Sequence, residues 1–231
     1  MCWRNWSDRS GTTADNAESC TKPSVVRHAG GVTSLRHDER WNHNIHYHSY
    51  VLEAVPPRAR TALDVGTGNG VLAAALHRRV PSVTGIDTDA QVLVSARAED
   101  PGVNWVLGDV LTHPLVPASF DLVTSVATVH HLPDLPRTLA RLGDLTARGG
   151  SLVIIGLARS SRPVDRAYDL AGAVQHRWYG RSRQMWEHTA PTVWPPPHTY
   201  TQVRKVAASV LPGSRWKRLP MWRYVIRWDK P

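Results

Sequence analysis

The chain has 231 residues, enough for one sizeable core, and its 42% hydrophobic and 20% charged residues are those of a soluble globular protein. No window approaches eighteen consecutive apolar residues. The polar start "MCWRNWSDRSGTTADNAESC" lacks a signal-peptide pattern, and Cys2 and Cys20 make neither a disulfide scaffold nor a metal knuckle, so a reducing, cytoplasmic location without membrane insertion is expected.

The net charge of +9 is uneven. Residues 158–231 hold 14 Lys+Arg against 4 Asp+Glu, while residues 1–157 hold 14 against 15. Such an excess fits an anionic substrate, an acidic lipid surface or nucleic acid, and equally a solvated basic face.

Residues 1–33 are rich in Ser, Thr, Gly and Asn and read as a mobile leader. From Ser34 to Val55 the pattern is helical, ended by Pro56 and Pro57; residues 34–60 form an N-terminal helical cover. Strands are then expected at "ALDV" (Ala62 to Val65), "SVTGID", "VNWVLGD", "FDLVTSV" and "SLVIIGLA". Between them lie the helical stretches "VLAAALHRRV", "DAQVLVSARAED" and "HHLPDLPRTLARLGDLTARGG", the last ending in a Gly pair. Strands alternating with helices over residues 61–158 imply a doubly wound, mostly parallel α/β sheet. Residues 159–200 break the pattern and read as a helical cap. Residues 201–231 add the helix "YTQVRKVAASVL" and two antiparallel strands, "GSRWKRL" and "WRYVIRW".

The loop "DVGTGNG" joins the first strand to the first helix. Gly66, Gly68 and Gly70 allow a sharp turn and a close approach of ligand to backbone, and the following helix offers free N–H groups. A dinucleotide fingerprint is GxGxxG; here the spacing is GxGxG, one residue tighter. Asp64, Asp87 and Asp109 end three successive strands. A carboxylate at Asp87 sits where a ribose would lie, and Asp109 is within reach of an adenine amino group. Each could instead be a loop aspartate capping a helix. Three on one rim, beside a glycine loop, point to a nucleoside-bearing cofactor.

The motifs "LDVGTGNGVL", "GID", "GDV", "FDLVTSVATVHHL" and "GGSLVIIG" resemble those of class I S-adenosylmethionine-dependent methyltransferases, nearest the small-molecule branch of the ubiquinone-biosynthesis type. The match covers residues 61–157, and the terminal strand pair resembles that family's hairpin ending in strand seven. Where the family usually has Lys-Pro-Gly-Gly, this chain has Ala147-Arg148-Gly149-Gly150. The resemblance implies a Rossmann-like sheet of seven strands and S-adenosyl-L-methionine as cofactor. It implies that Asp64, Gly66 and Gly68 hold the methionine part and that Gly70 lets the helix pack close. Asp87 would hold the ribose, Asp109 and Val110 the adenine, and the Ser125 carbonyl the ammonium.

Methyl transfer needs alignment and exclusion of water, and a base only where the acceptor must lose a proton. No metal set is found. His130 and His131, after the fourth strand, could act as base or simply shape the loop. Trp178, Tyr179, Trp186 and Trp194 could line a flat apolar acceptor pocket or serve packing. Arg177, Arg181 and Arg183 could meet a substrate carboxylate or only solvent.

The stretch "RWNHNIHYHSY" is read as a helix. His43, His46, Tyr47 and Tyr50 share one arc, predicted to face the acceptor pocket; Ile45, His48, Leu52 and Val55 take the opposite side. His48 pointing away argues against a metal.

The reaction expected is methyl transfer to a small molecule, such as an aromatic or polyketide-like natural product or a quinone precursor. The alternatives are an RNA methyltransferase, a non-catalytic cofactor-binding partner subunit and a nicotinamide oxidoreductase. The absence of an Asn-Pro-Pro-Tyr-type motif, replaced here by "SVATVH", argues against nucleic acid.

Overall fold

A computed structural model describes residues 41–182 and 194–231. They form a seven-stranded sheet: β1 (Thr61–Val65), β2 (Ser82–Asp87), β3 (Asn104–Leu107), β4 (Phe120–Val126), β5 (Thr146–Leu157), β6 (Arg215–Leu219) and β7 (Arg223–Asp229). The spatial order is β3-β2-β1-β4-β5-β7-β6. The first five strands are parallel, and β7 runs antiparallel between β5 and β6. The strand direction of the crossovers reverses between β1 and β4. That switch point leaves a crevice at the carboxyl ends of both strands.

The helices are α1 (His48–Leu52), α2 (Val71–His77), α3 (Ala90–Glu99), α4 (Leu135–Leu145), α5 (Pro163–Ser182) and α6 (Tyr200–Val210). The central strands are apolar on both faces because helices cover both. Leu63, Val123, Leu152 and Ile154 pack with Leu139 and Leu142 of α4 and Val203 of α6. Their neighbours Ala62, Leu122, Val153 and Ile155 pack on the other side with Leu72 and Leu76 of α2 and with Val51 of α1. Alternation at period two thus builds two cores from one continuous run of residues. A buried Leu→Ala change in either costs about 2–5 kcal/mol.

Local chemistry sets the helix ends. Asp89 caps α3 by accepting from Gln91 N and Val92 N. Asp134 accepts from Arg137 N, ahead of a proline in the first turn of α4. Thr199 and Gln202 form a reciprocal capping box on α6.

Two expectations are corrected. No continuous helix runs through 41–55: a single 3-10 turn, Ile45–Tyr47, leads into the five-residue α1. The Asn42 side chain accepts from Asn44 N and Ile45 N, so it starts the turn there and takes the place of helical partners. The part of the expected helix before residue 41, and the leader, lie outside the described residues. The helix ending at the Gly pair also stops early. It ends at Leu145, and Thr146 to Gly150 already belong to β5. Lys230 explains part of this, because its ammonium donates to Gly143 O and Thr146 O at 2.9 and 2.8 Å and so takes over carbonyls at the helix end.

Candidate active site

At the switch point lies a cavity of about 740 Å³, a volume suited to a ligand of drug-like size. One end is the glycine loop with Asp64, Asp87 and Asp109. The other is lined by His48, His130, Leu157, Trp194, Trp222 and Arg223.

Strand β1 delivers Asp64 into a buried position, where its Oδ2 accepts from Thr67 Oγ1 at 2.8 Å. Burial pushes this carboxyl up to about 7, with Asp87 adding to the rise and the Thr67 hydrogen bond opposing it. Asp87, at the end of β2, accepts from Gly68 N at 2.9 Å and from Asp89 N at 3.0 Å. It therefore fixes the loop's second glycine while still lining the cavity. Asp109 accepts from Leu111 N at 2.9 Å, and Val110 beside it is buried.

The three glycines do different work. Gly70 has φ 80° and does not line the cavity; a Cβ there would lie 2.6 Å from the Trp105 ring and 3.0 Å from Ala96 Cβ. It lets α2 sit close to α3 and β3. A Cβ at Gly66 would overlap the Thr128 side chain. A Cβ at Gly68 would meet nothing within 4 Å, so the loop is open on that side. A buried carboxylate, a second on the rim and an open backbone cradle between them fit a cofactor with a cationic amino-acid end and a ribose.

The chain spans nearly the whole of one similar protein. Uncharacterized methyltransferase Rv0089 of Mycobacterium tuberculosis is 38% identical over 196 residues, covering 84% of this chain and 99% of that one. Residues 63–154 match a family profile described as Methyltransferase domain. A 2-phytyl-1,4-naphtoquinone methyltransferase from Nostoc punctiforme is 33% identical over 117 residues, covering 47% of this chain and 51% of that protein. The fold is similar to that of geranyl diphosphate C-methyltransferase from Streptomyces coelicolor A3(2). The TM-score is 0.58 at 14% identity, over 81% of this chain and 77% of that one.

This chain belongs to the class I S-adenosylmethionine-dependent methyltransferases.

Several expected site residues of the methyltransferase meet in the cavity. Asp64, Gly66, Gly68, Asp87, Asp109, Val110, His43, His130 and His131 all line it. Others do not. Ser125 is fully buried, and its Oγ donates to Val65 O at 3.1 Å. The lining at this strand end is Val126, Ala127 and Thr128, because Ala127 at φ 56° turns the chain over the crevice.

Tyr47 is 2% exposed, packs in the core beside Val51 and donates to Pro220 O at 2.7 Å. His46 packs against Trp41 and Tyr179 rather than the cavity. Ile45 and His48, assigned to the far side, line the cavity instead. A 3-10 turn advances about 120° per residue, not 100°, so the arc drawn for an α-helix is rotated. Trp178 is exposed on α5, edge-on to Tyr179. Trp186 and Arg183 lie outside the described residues, as does the side chain of Arg181. Trp194 does line the cavity.

The two histidines after β4 differ. His130 is buried and held down to about 3, chiefly by burial, with His131 and Arg223 adding to the fall. It is neutral at physiological pH and a very weak base. His131 is exposed and less perturbed, which makes it the better placed of the two to take a proton. Among the described residues no group of three or more His, Cys, Asp or Glu could hold a metal.

Sequence reasoning passed over Thr128, Trp222 and Arg223. The turn between β6 and β7 contains no glycine, yet Met221 and Trp222 both take positive φ, 52° and 58°. Nothing local signals that geometry.

The raised carboxyl of Asp64 has a measurable consequence. Between its ordinary 3.8 and about 7, the folded chain holds a proton that the unfolded chain has released. Stability therefore falls as pH rises through that window, and the cost is complete above it. Asp64→Asn is expected to raise the melting temperature at pH 8 by about 2–5 °C. The gain should vanish at pH 4. Thermal melts of the apo-protein at both values check this; a gain confined to pH 4 contradicts it.

Proposed function

We propose that the methyltransferase alkylates a small-molecule acceptor with a flat apolar body, such as an aromatic or polyketide-like natural product or a quinone precursor. The observation that carries this is the continuity of the cavity, from the glycine loop to a wall built of Trp194, Trp222 and Leu157. Asp64, Gly66 and Gly68 are assigned to the methionine end of the cofactor, Asp87 to the ribose hydroxyls, and Asp109 with Val110 to the adenine. Bound S-adenosylmethionine supplies an electrophilic methyl group on a sulfonium. The chain's own residues then orient the acceptor, exclude water and, where a proton must leave, accept it at His131. The quinone relative, similar over about half of its length, supports a ring-bearing acceptor.

Labelled S-adenosylmethionine offered with phenols, hydroxynaphthoquinones and a short RNA tests the reading. Label is expected in the organic-soluble products. Transfer to RNA alone overturns the acceptor class. Normal binding of S-adenosylhomocysteine with no transfer to any acceptor favours a non-catalytic binding subunit.

A further inference from the structure

Arg223, the first residue of β7, lies opposite Leu157 in the sheet register and is 7% exposed. It lines the cavity from the β5–β7 side of the sheet, whereas Asp64 and Asp87 stand on β1 and β2 and Asp109 just after β3. Its Nη2 donates to Asn44 Oδ1 at 2.8 Å, and its Nη1 makes only a long contact, 3.4 Å, to Met221 O. Its Nε is buried with no partner among the described residues. No carboxylate among them lies within ion-pair distance of this guanidinium.

Arg218, five residues earlier, shows the contrast. Equally buried, it is paired with Asp169 at 3.0 Å and stacked on Tyr200. The fold thus neutralises one buried guanidinium and leaves the other facing a cavity. Burial lowers Arg223 only to about 10, so it keeps its charge at neutral pH. An unpaired buried charge is costly to the fold.

The position is also built deliberately. Arg223 follows the strained pair Met221 and Trp222. That turn is held by the Tyr47 hydroxyl on Pro220 O and by the close approach of Gly172 of α5 to Met221 N. Strain retained by packing from two other elements is characteristic of a functional position. The polar groups around this end, Asn42, Asn44, His48 and His130, are uncharged: burial holds His48 down to about 4 and His130 to about 3. The acceptor end of the cavity therefore offers one fixed positive charge and no acid among its described lining residues.

We propose that Arg223 anchors a carboxylate on the methyl acceptor. This deepens the small-molecule reading of the same site and rests on it. A guanidinium with an unused Nε–H and a weakly used Nη1 is suited to a planar carboxylate, and a neutral amide of the same shape gains far less.

The test uses the full chain saturated with S-adenosylhomocysteine at pH 7. Calorimetry compares benzoate and 2-naphthoate with benzamide and 2-naphthamide. Wild type is expected to bind an acid at least tenfold more tightly than its amide. Arg223→Met should abolish that preference and Arg223→Lys keep part of it, both binding S-adenosylhomocysteine within twofold of wild type. The proposal is overturned if wild type binds acid and amide alike, binds neither, or if Arg223→Met retains the preference. The wild-type comparison stands even where the methionine variant fails to fold. Failure of wild type to bind S-adenosylhomocysteine would sink the underlying site reading; normal binding of it without an acid preference sinks only the role of Arg223.

Discussion

Replacing Asp87 with alanine is expected to weaken S-adenosylhomocysteine binding by about 100-fold or more. Two charge-assisted hydrogen bonds to ribose hydroxyls, at roughly 1.5–3 kcal/mol each, account for a change of that size. The same carboxylate also holds Gly68 N and Asp89 N, so its loss loosens the loop that carries the methionine end. Asp87→Asn separates the two contributions. An amide oxygen can still accept from Gly68 N, while the amide nitrogen cannot accept from Asp89 N, so the glycine contact is kept and the charge and one backbone contact are lost. Its affinity should fall between wild type and alanine. Isothermal calorimetry with S-adenosylhomocysteine and adenosine reads both: adenosine, which lacks the methionine, should lose as much of its own affinity as the ribose contact contributes. A change below threefold for Asp87→Ala would remove the ribose assignment.

The second large effect is at Gly66. Alanine there meets two obstacles at once. The residue has φ 68°, which costs an L side chain roughly 1–2 kcal/mol, and the new Cβ would overlap Thr128, whose displacement costs about 1–3 kcal/mol more. Gly66→Ala should lower the melting temperature by about 10 °C, the scale expected for a domain of this size. Two companions divide the effect. Adding Thr128→Ala removes the overlap and should recover about half. Gly68→Ala has positive φ but open space, so it should melt within a few degrees of wild type. Because that open side is where the cofactor is assigned, Gly68→Ala should still bind S-adenosylhomocysteine at least tenfold more weakly. Wild-type melting of Gly66→Ala would show that Thr128 does not wedge the loop.

The glycine-loop half of the cavity was legible because its residues are local to strand ends. Asp64, Asp87 and Asp109 each lie in or just after a short apolar run that reads as a buried strand, and parallel strands place their carboxyl ends on one edge. The glycines lie within one loop, so their spacing alone bounds the turn. Ser125 does not itself line the cavity, which begins at Val126 on this strand, and nothing in "TSVAT" marks where the strand gives way to Ala127 at φ 56°.

The rest of the cavity was barely legible. His43 lines the cavity as expected, but His46 and Tyr47 do not, because Asn42 imposes a 3-10 turn in place of an α-helix. Tyr47 then spends its hydroxyl on Pro220, a partner 173 residues away. Arg223 lies in "WRYVIRW", which reads only as a terminal strand.

By itself the sequence determined the alternating α/β order, the parallel core and the terminal antiparallel pair, because hydrophobic period and turn residues act over a few positions, while its ordered motifs carried the resemblance to the family. Only the tertiary structure decided which side chains line the rest of the cavity. Among the described residues they come from 42–45 and His48, the loop after β4, Trp194 and the β6–β7 turn. Which of their side chains converge is set by register, by a strained turn and by the partners that hold it, and none of these is written in any local pattern.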